Sequence, residues 1–215
     1  MPFTPAQFFD VFRQYNEAVW PAPLLLLVGA VAAVGLAFQA GPRAARGLTA
    51  ILAVLWLWMG VVYHIGFFSA INPAAPIFGA LFIAQAGLFI WLGVRSTRLS
   101  FTVRSDTRGI AGAVLIVCAL VVYPVLGHLL GHRYPAAPTF GLPCPTTIFT
   151  FGVLLWARAP VPRVLVVVPM LWAALGAVAA MQLGVPEDLG LLVAGVIAGP
   201  MILLATKRRD LVHVA

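Results

Sequence analysis

The amino-acid sequence predicts an all-α, polytopic membrane protein with seven transmembrane helices. Of the 215 residues, 62% are hydrophobic and only 9% are charged, and the mean hydropathy is +1.04. A soluble domain carries about 25% charged residues, so this chain is too poor in charge to cover a surface that faces water. Seven apolar runs, and the alternation of basic residues between them, predict the number of spans.

Residues 1–20 are predicted to form an amphipathic helix that lies in the membrane interface. Thr4 and Gln7 have the spacing of a capping box, and Pro5 fits the first helical position. Aromatic residues then recur at helical spacing on one face, and charged residues occupy the other. The pattern is not typical of a secretory signal peptide, because the basic residues follow the first apolar run instead of preceding it.

A seven-helix transmembrane domain is predicted over residues 21–206, followed by a basic cytoplasmic tail over 207–215. Each span needs about 20 mainly apolar residues. The fifth run is short for a span, although Leu142 to Pro145 can extend it. The seven runs are 21–40, 47–68, 75–94, 109–130, 145–157, 163–183 and 189–206.

The basic residues predict the orientation of the spans. With seven spans, eleven of the 13 arginines and lysines fall on one side of the membrane, and only Arg13 and Arg133 fall on the other. Loops rich in arginine and lysine stay in the cytoplasm. The C-terminus is therefore predicted to be cytoplasmic and the N-terminus to be outside. The net charge of +7 then reflects cytoplasmic loops and does not indicate a nucleic-acid partner.

Two copies of one sequence pattern predict an internal repeat. Val61-Val62-Tyr63 is followed by PAAPIFG at 73–79, and Val121-Val122-Tyr123 is followed by PAAPTFG at 135–141. Both copies have the same orientation, which predicts parallel hairpins, formed by helices 2–3 and 4–5 and related by an axis along the membrane normal. Chance similarity in an apolar sequence is the alternative. The prolines expected at equivalent helix starts are Pro76 and Pro138.

Histidines and a cysteine predicted on the outer side suggest a metal site. His128 and His132 are spaced i, i+4, which puts both rings on one face of a helix and suits two ligands of one metal ion. His64 and Cys144 complete a candidate set for zinc or copper. Interfacial or hydrogen-bonding histidines are the alternative. Axial haem ligation by His64 with His128 or His132 is a third interpretation, although the chain has no c-type haem motif.

A polar pocket is predicted around these histidines. Glu17 is the best candidate for a general acid or base if the pocket belongs to an enzyme. No acid or base lies in the middle of a span, which argues against a proton-coupled carrier. The predicted ligand-binding residues are Tyr63, Asn72, Gln85, Tyr134, Thr146 and Thr147, and the last outer loop adds Glu187 and Asp188 to the polar residues of this side.

The stretches YHIGFFSAINPAAPIFGALF and GHLLGHRYPAAPTFGLPCPTT, with FFDVFRQYNEAVWP near the start, resemble a family of bacterial multi-pass membrane proteins of unknown function. The resemblance extends over most of the chain, to helix 5. It implies a protein of the bacterial inner membrane and implies nothing about chemistry. Seven-span membrane hydrolases with a histidine-bound zinc are similar only in the HxxxH spacing, because their serine and aspartate have no clear counterparts here.

The first functional prediction is a transporter, facilitator or sensor whose outward-facing pocket binds a metal ion or small solute. The alternative is a metal-dependent enzyme that acts on a lipid or other hydrophobic substrate at the outer leaflet. A non-catalytic assembly subunit is the second alternative. The expected partners are the lipid bilayer and the metal ion or solute.

Overall fold

The computed structural model describes residues 2–39, 41–96, 98–158 and 160–212, so residues 213–215 of the predicted tail lie outside the described residues. Within these ranges the protein is all-helical and contains no β-strand beyond two isolated bridges, which confirms the predicted all-α class. Each of the seven apolar runs contains a helix. The helices are α1 (Pro5–Ala18), α2 (Ala22–Ala37), α3 (Pro42–Ala70), α4 (Ala75–Arg95), α5 (Thr107–Leu129), α6 (Pro143–Leu155), α7 (Val164–Leu183) and α8 (Leu189–Val212).

Five segments in the described part of the chain are long and apolar enough to cross a membrane. They are α3, α4, α5, α7 and Pro186–Ala205, which joins a short 3₁₀ turn to α8. Helices α1 and α2 pass the same test as a pair but are bent by 84° relative to each other, so they add a sixth span if the bent pair is one span. Helix α6 has only 13 residues.

Helix α6 is the centre of the bundle. Every residue of α6 except Cys144 is buried, and its neighbours are α5, α7 and α8. A helix of this length is about 20 Å long, which is shorter than the hydrocarbon core of a bilayer at about 30 Å. Because other helices surround α6, its apolar side chains and its ends contact protein.

Two helix pairs cross at glycines. A Cβ atom built on Gly60 of α3 or on Gly79 of α4 would lie 2.8–2.9 Å from the carbonyl oxygen of the other glycine. Gly112 of α5 and Gly152 of α6 make the same kind of crossing at 2.8 Å. Small residues at a crossing allow two helix backbones to approach closely. The crossings therefore fix α3 against α4 and α5 against α6.

Three of the long helices contain π-helical segments, at Met59–Phe67, Ile90–Arg95 and Cys118–Val122. Such segments are rare and frequently occur at functional sites. The first contains Tyr63 and the third ends immediately before Tyr123, so both tyrosines of the sequence repeat lie at irregular turns.

The two prolines of the repeat do not occupy equivalent positions. Pro76 is the second residue of α4, whereas Pro138 lies in the loop before α6, which begins at Pro143. The expectation of equivalent helix starts is therefore wrong. The extra loop is held in place by hydrogen bonds to α1, described below, and this delays the start of α6.

Helix α1 lies across the ends of other helices. It begins at the predicted capping box, in which the Thr4 N–H donates to Gln7 Oε1 at 2.9 Å and the Gln7 N–H donates to Thr4 Oγ1 at 3.3 Å. Its buried face packs against the ends of α3 and α7, and its other face is exposed. A position at a membrane interface stays a prediction. The apolar residues of the buried face are Phe8, Val11, Phe12 and Tyr15.

Candidate functional site

A cavity of about 310 Å³ lies under α1, between the ends of α3 to α7. We call it the aromatic cavity. Leu175 and Val178 of α7 line it, and each is 48% exposed, so the cavity opens beside α7 on the apolar outer surface of the bundle. The aromatic residues that line it are Phe3, Phe8, Phe12, Tyr63, Phe68, Phe78, Tyr123 and Trp172.

One side of the aromatic cavity is polar, and we call Tyr123, Cys144 and Asp188 its polar wall. The phenol of Tyr123 donates a hydrogen bond to Oδ1 of Asp188. The thiol of Cys144 interacts with the same carboxyl group. Asp188 is only 4% exposed, and a buried carboxyl group requires hydrogen-bond partners. The wall therefore joins three hydrogen-bonding groups in surroundings that are otherwise apolar.

Local backbone structure brings these three residues together. Tyr123 follows the π-helical segment of α5, and Cys144 lies in the first turn of α6, between two prolines. Helix α7 ends at Gly184, whose φ of 71° is the left-handed conformation that favours glycine. The chain then turns through Pro186–Asp188 before α8 begins. This turn directs Asp188 towards the cavity.

Glu187, next to Asp188 in the chain, is paired with His132. Oε1 of Glu187 lies 2.6 Å from Nδ1 of His132, and the Glu187 side chain is fully buried. Its other oxygen, Oε2, is buried without a hydrogen-bond partner. Gly127 allows the approach, since a Cβ atom there would lie 3.0 Å from Oε1. The His132 ring also contacts the Phe9 ring of α1, with centroids 4.7 Å apart.

His64 does not line the aromatic cavity but lies behind the aromatic rings that do. Its side chain is fully buried, and neither ring nitrogen has a hydrogen-bond partner. The centroid of its ring is 4.7 Å from that of Phe82 and 5.1 Å from that of Trp172. The rings of Tyr63, Phe68 and Phe78 complete its surroundings.

The four predicted metal ligands do not come together. Over the described ranges, no three His, Cys, Asp or Glu side chains form a group that could hold a metal ion. Helix α5 ends at Leu129 and Gly131 has a φ of 95°, so His132 lies beyond the helix. The HxxxH spacing therefore does not place His128 and His132 on one helix face. His128 is exposed, His132 bonds Glu187, His64 is enclosed by aromatic rings, and Cys144 contacts Asp188.

Three predicted ligand-binding residues line cavities. Tyr63 and Asn72 line the aromatic cavity, although Asn72 Oδ1 also accepts a hydrogen bond from the Ala74 N–H at 3.0 Å. Tyr134 lines a second cavity of about 310 Å³. His128 and His132 line the same second cavity, and Tyr123 separates the two because it lines both.

The other predicted residues lie elsewhere. Gln85 donates to the carbonyl oxygen of Leu165 at 3.0 Å, and Thr146 accepts from the Gly141 N–H at 3.1 Å. Thr147 is buried, and like Gln85 and Thr146 it lines neither cavity. The carboxylate of Glu17 is 53% exposed and lies 3.3 Å from Arg13 on the outer face of α1. The acidic residue that lines the aromatic cavity is Asp188.

Asn16 is a site residue that the sequence analysis missed. It is fully buried, and its Nδ2 donates to the carbonyl oxygens of Pro135 at 2.6 Å and Ala137 at 2.9 Å. Its Oδ1 accepts from Thr139 Oγ1 at 2.7 Å. These bonds hold the loop that carries Pro138, which lines both cavities. An amide on the buried face of an amphipathic helix was the signal in the sequence.

Replacing Asn16 by alanine is expected to lower the free energy of unfolding by about 2–3 kcal/mol, because two carbonyl groups and a hydroxyl lose their partner. Thermal unfolding of the purified protein in detergent measures the effect. Gln14→Ala, on the exposed face of the same helix, is the matched control and should change stability by less than about 0.5 kcal/mol. Equal effects of the two substitutions would show that Asn16 does not hold the loop.

Comparisons with known proteins give one match. The family described as "Family of unknown function (DUF6064)" matches the chain over residues 5–213. No curated protein and no solved structure matches the chain. The matched range contains the polar wall, the His132–Glu187 pair, Asn16 and every aromatic residue that lines the aromatic cavity except Phe3.

Proposed function

The chain belongs to a family of unknown function, DUF6064, and from the chemistry of its site we propose that it is a membrane protein that binds a small amphipathic molecule in the aromatic cavity. The observation that carries this proposal is the polar wall on one side of an apolar, ring-lined space. Ligand sites are typically apolar cavities with a few polar groups that fix the orientation of the ligand. The cavity volume of about 310 Å³ suits a small ligand.

Each side of the cavity has a distinct role in this proposal. The aromatic rings of α1, α3 and α4 pack against the apolar part of the ligand. This packing removes the apolar part from contact with water or lipid headgroups. Tyr123, Cys144 and Asp188 contact its polar end. The opening beside α7, at Leu175 and Val178, is apolar and supports entry from the bilayer. Binding by a protein of this kind fits a sensor or carrier of the ligand.

Binding of the water-soluble aromatic alcohol 3-phenyl-1-propanol tests the proposed function. We expect a saturable rise in the unfolding temperature of the purified protein, because a ligand that binds only the folded state stabilises it. Ala179→Phe places a ring inside the aromatic cavity and should abolish the rise. Val28→Phe, on the exposed surface of α2, is the control and should retain it. A rise that survives Ala179→Phe would place binding elsewhere.

We also propose that seven helices, α2 to α8, span a bacterial inner membrane. Large apolar side chains that are exposed on the helices support a lipid environment, since soluble proteins rarely expose them in quantity. Helix α6 is shielded by its neighbours and needs no lipid contact of its own. In this arrangement the N-terminus is outside, the C-terminus is cytoplasmic, and the aromatic cavity faces outward. Examples of exposed apolar residues are Leu25, Val28, Val31, Val114, Val117 and Val121.

Cysteine labelling tests this topology. Ala70→Cys at the end of α3 should react with a membrane-impermeant maleimide on intact cells, whereas Ser105→Cys before α5 should react only after permeabilisation. Both positions are exposed. A reporter fused after Ala215 should be cytoplasmic. The parent chain, with Cys118 and Cys144 only, provides the background. Reaction of Ser105→Cys on intact cells would contradict the orientation.

The internal repeat is also part of the proposal. Hairpins α3–α4 and α5–α6 each cross at a glycine pair, and each first helix has a π-helical segment at its repeat tyrosine. These features support two related hairpins in spite of the unequal prolines. Superposition of the two hairpins in an experimental structure should require rotation about an axis close to the membrane normal. An axis in the membrane plane would contradict it.

A further inference from the structure

The turn before α8 carries two buried acidic groups, and the described part of the protein places one basic side chain beside them. Glu187 and Asp188 are consecutive and are 3% and 4% exposed. The one basic side chain paired with either of them in the described part is His132, which bonds Glu187. No Lys, Arg or His lines the aromatic cavity within the described residues.

Buried carboxylates require compensation. Moving an ionised carboxylate from water into an apolar site costs several kcal/mol unless a cation and hydrogen bonds accompany it. Here one imidazole, that of His132, is the basic partner for two carboxyl groups, and it bonds Glu187. Oε2 of Glu187 remains buried without a partner. The phenol of Tyr123 supplies a hydrogen bond to Asp188 and the thiol of Cys144 lies beside it, but neither group supplies a positive charge. One positive charge at the cavity side of Asp188 would complete the site.

The aromatic rings around the cavity favour the same charge. The face of an aromatic ring attracts a cation within about 6 Å of its centroid, and the attraction increases when the site excludes water. Phe8, Phe12, Phe68 and Trp172 line the same cavity as Asp188, together with Tyr63. An anionic ligand would meet Asp188 with no cation in the lining to offset the repulsion.

We propose that the ligand of the aromatic cavity is an organic cation, whose ammonium or similar group lies against Asp188 while its apolar part contacts the aromatic rings. The inference rests on the proposed function, because it assigns the charge of the molecule that the cavity binds. Quaternary ammonium groups suit such a site because they are held by a carboxylate and ring faces without needing hydrogen-bond acceptors.

Three ligands that share a phenyl ring on a three-carbon chain test the inference: 3-phenylpropyltrimethylammonium, 3-phenyl-1-propanol and 3-phenylpropanoate. Calorimetric titration of the wild-type protein in detergent at neutral pH is expected to show that the cation binds at least about tenfold more tightly than the alcohol, and that the anion binds most weakly. Asp188→Asn should remove the preference for the cation, so that the cation and the alcohol bind the variant with affinities within about twofold of each other. Asp10→Asn, on the exposed face of α1, should change neither affinity.

The outcomes separate this inference from the proposed function. If the alcohol binds and Ala179→Phe blocks it, but the cation binds no more tightly, the cavity is a ligand site and the charge assignment is overturned. If none of the three ligands binds to the wild-type protein, the proposed function itself fails. The comparison of ligands on the wild-type protein stays decisive even if Asp188→Asn does not fold.

Discussion

Replacing Glu187 by alanine should lower the free energy of unfolding by about 3 kcal/mol, because it leaves His132 without its buried partner. His132→Ala should have a similar effect, since it leaves a fully buried carboxyl group with no donor. The loss of stability in the double variant should be much smaller than the sum of the losses in the two single variants, because the two residues act as one pair.

His128→Ala is the matched control for this pair. His128 is exposed near the end of α5, four residues before His132, and the structure gives its side chain no role in fixing the turn before α8. We expect a change within about 0.5 kcal/mol in thermal unfolding of the purified protein. If His128→Ala and His132→Ala destabilise the protein equally, the two histidines act together, as in the metal site predicted from the HxxxH spacing, and the assignment of His132 to Glu187 is wrong.

Gly79→Leu should have the largest effect on folding, about 3 kcal/mol or more. A Cβ atom at Gly79 would lie 2.7 Å from the Ile65 side chain and 2.9 Å from the backbone oxygen of Gly60. The backbone oxygen cannot move without separating α3 from α4, and overpacking of this kind typically costs about 1–3 kcal/mol for smaller insertions. The pair of helices that carries Tyr63 and the cavity-lining rings of α4 would lose its register.

Gly87→Leu makes the same substitution two turns further along α4 and serves as the control. No atom outside the local helix lies within 4 Å of a Cβ atom built at Gly87, and the position is exposed. Leucine also forms helix more readily than glycine, by up to about 1 kcal/mol. The yield of folded protein and its unfolding temperature should be retained for Gly87→Leu and lost for Gly79→Leu. If both variants retain the yield of folded protein and its unfolding temperature, the close crossing of α3 and α4 at Gly60 and Gly79 is contradicted.

The helical runs were predictable from the sequence because apolar length and loop charge are local properties. The capping box at Thr4 and Gln7 is local for the same reason, and the structure has its two hydrogen bonds. The apolar run at 145–157, with its extension from Leu142, predicted the start of α6 at Pro143, but the repeat did not. The matching PAAP patterns suggested a helix at Pro138, but three hydrogen bonds from Asn16, more than a hundred residues earlier in the chain, hold that segment as a loop.

The site depends on contacts that spacing alone does not reveal. HxxxH places two rings on one face only if the helix continues, and Gly131 in the left-handed region ends it. Successive helical residues point about 100° apart, so Asn16 is buried while Glu17 is exposed. Pairing between His132 and Glu187 joins segments 55 residues apart. The loop charges and apolar runs predicted Glu187 and Asp188 in an outer loop. Their burial depends on the turn after Gly184, which the sequence pattern does not reveal.

The location of a bound ligand is the most direct test of the central claim. A photoreactive diazirine analogue of 3-phenyl-1-propanol, irradiated with the purified protein, should label the polar wall: Tyr123, Cys144 and Asp188. An excess of the parent alcohol should suppress this labelling, and Ala179→Phe should remove it. Peptide mapping by mass spectrometry identifies the labelled residues. Labelling confined to the exposed face of α2, at Val28 and Val31, and unaffected by the alcohol would contradict a ligand site in the aromatic cavity.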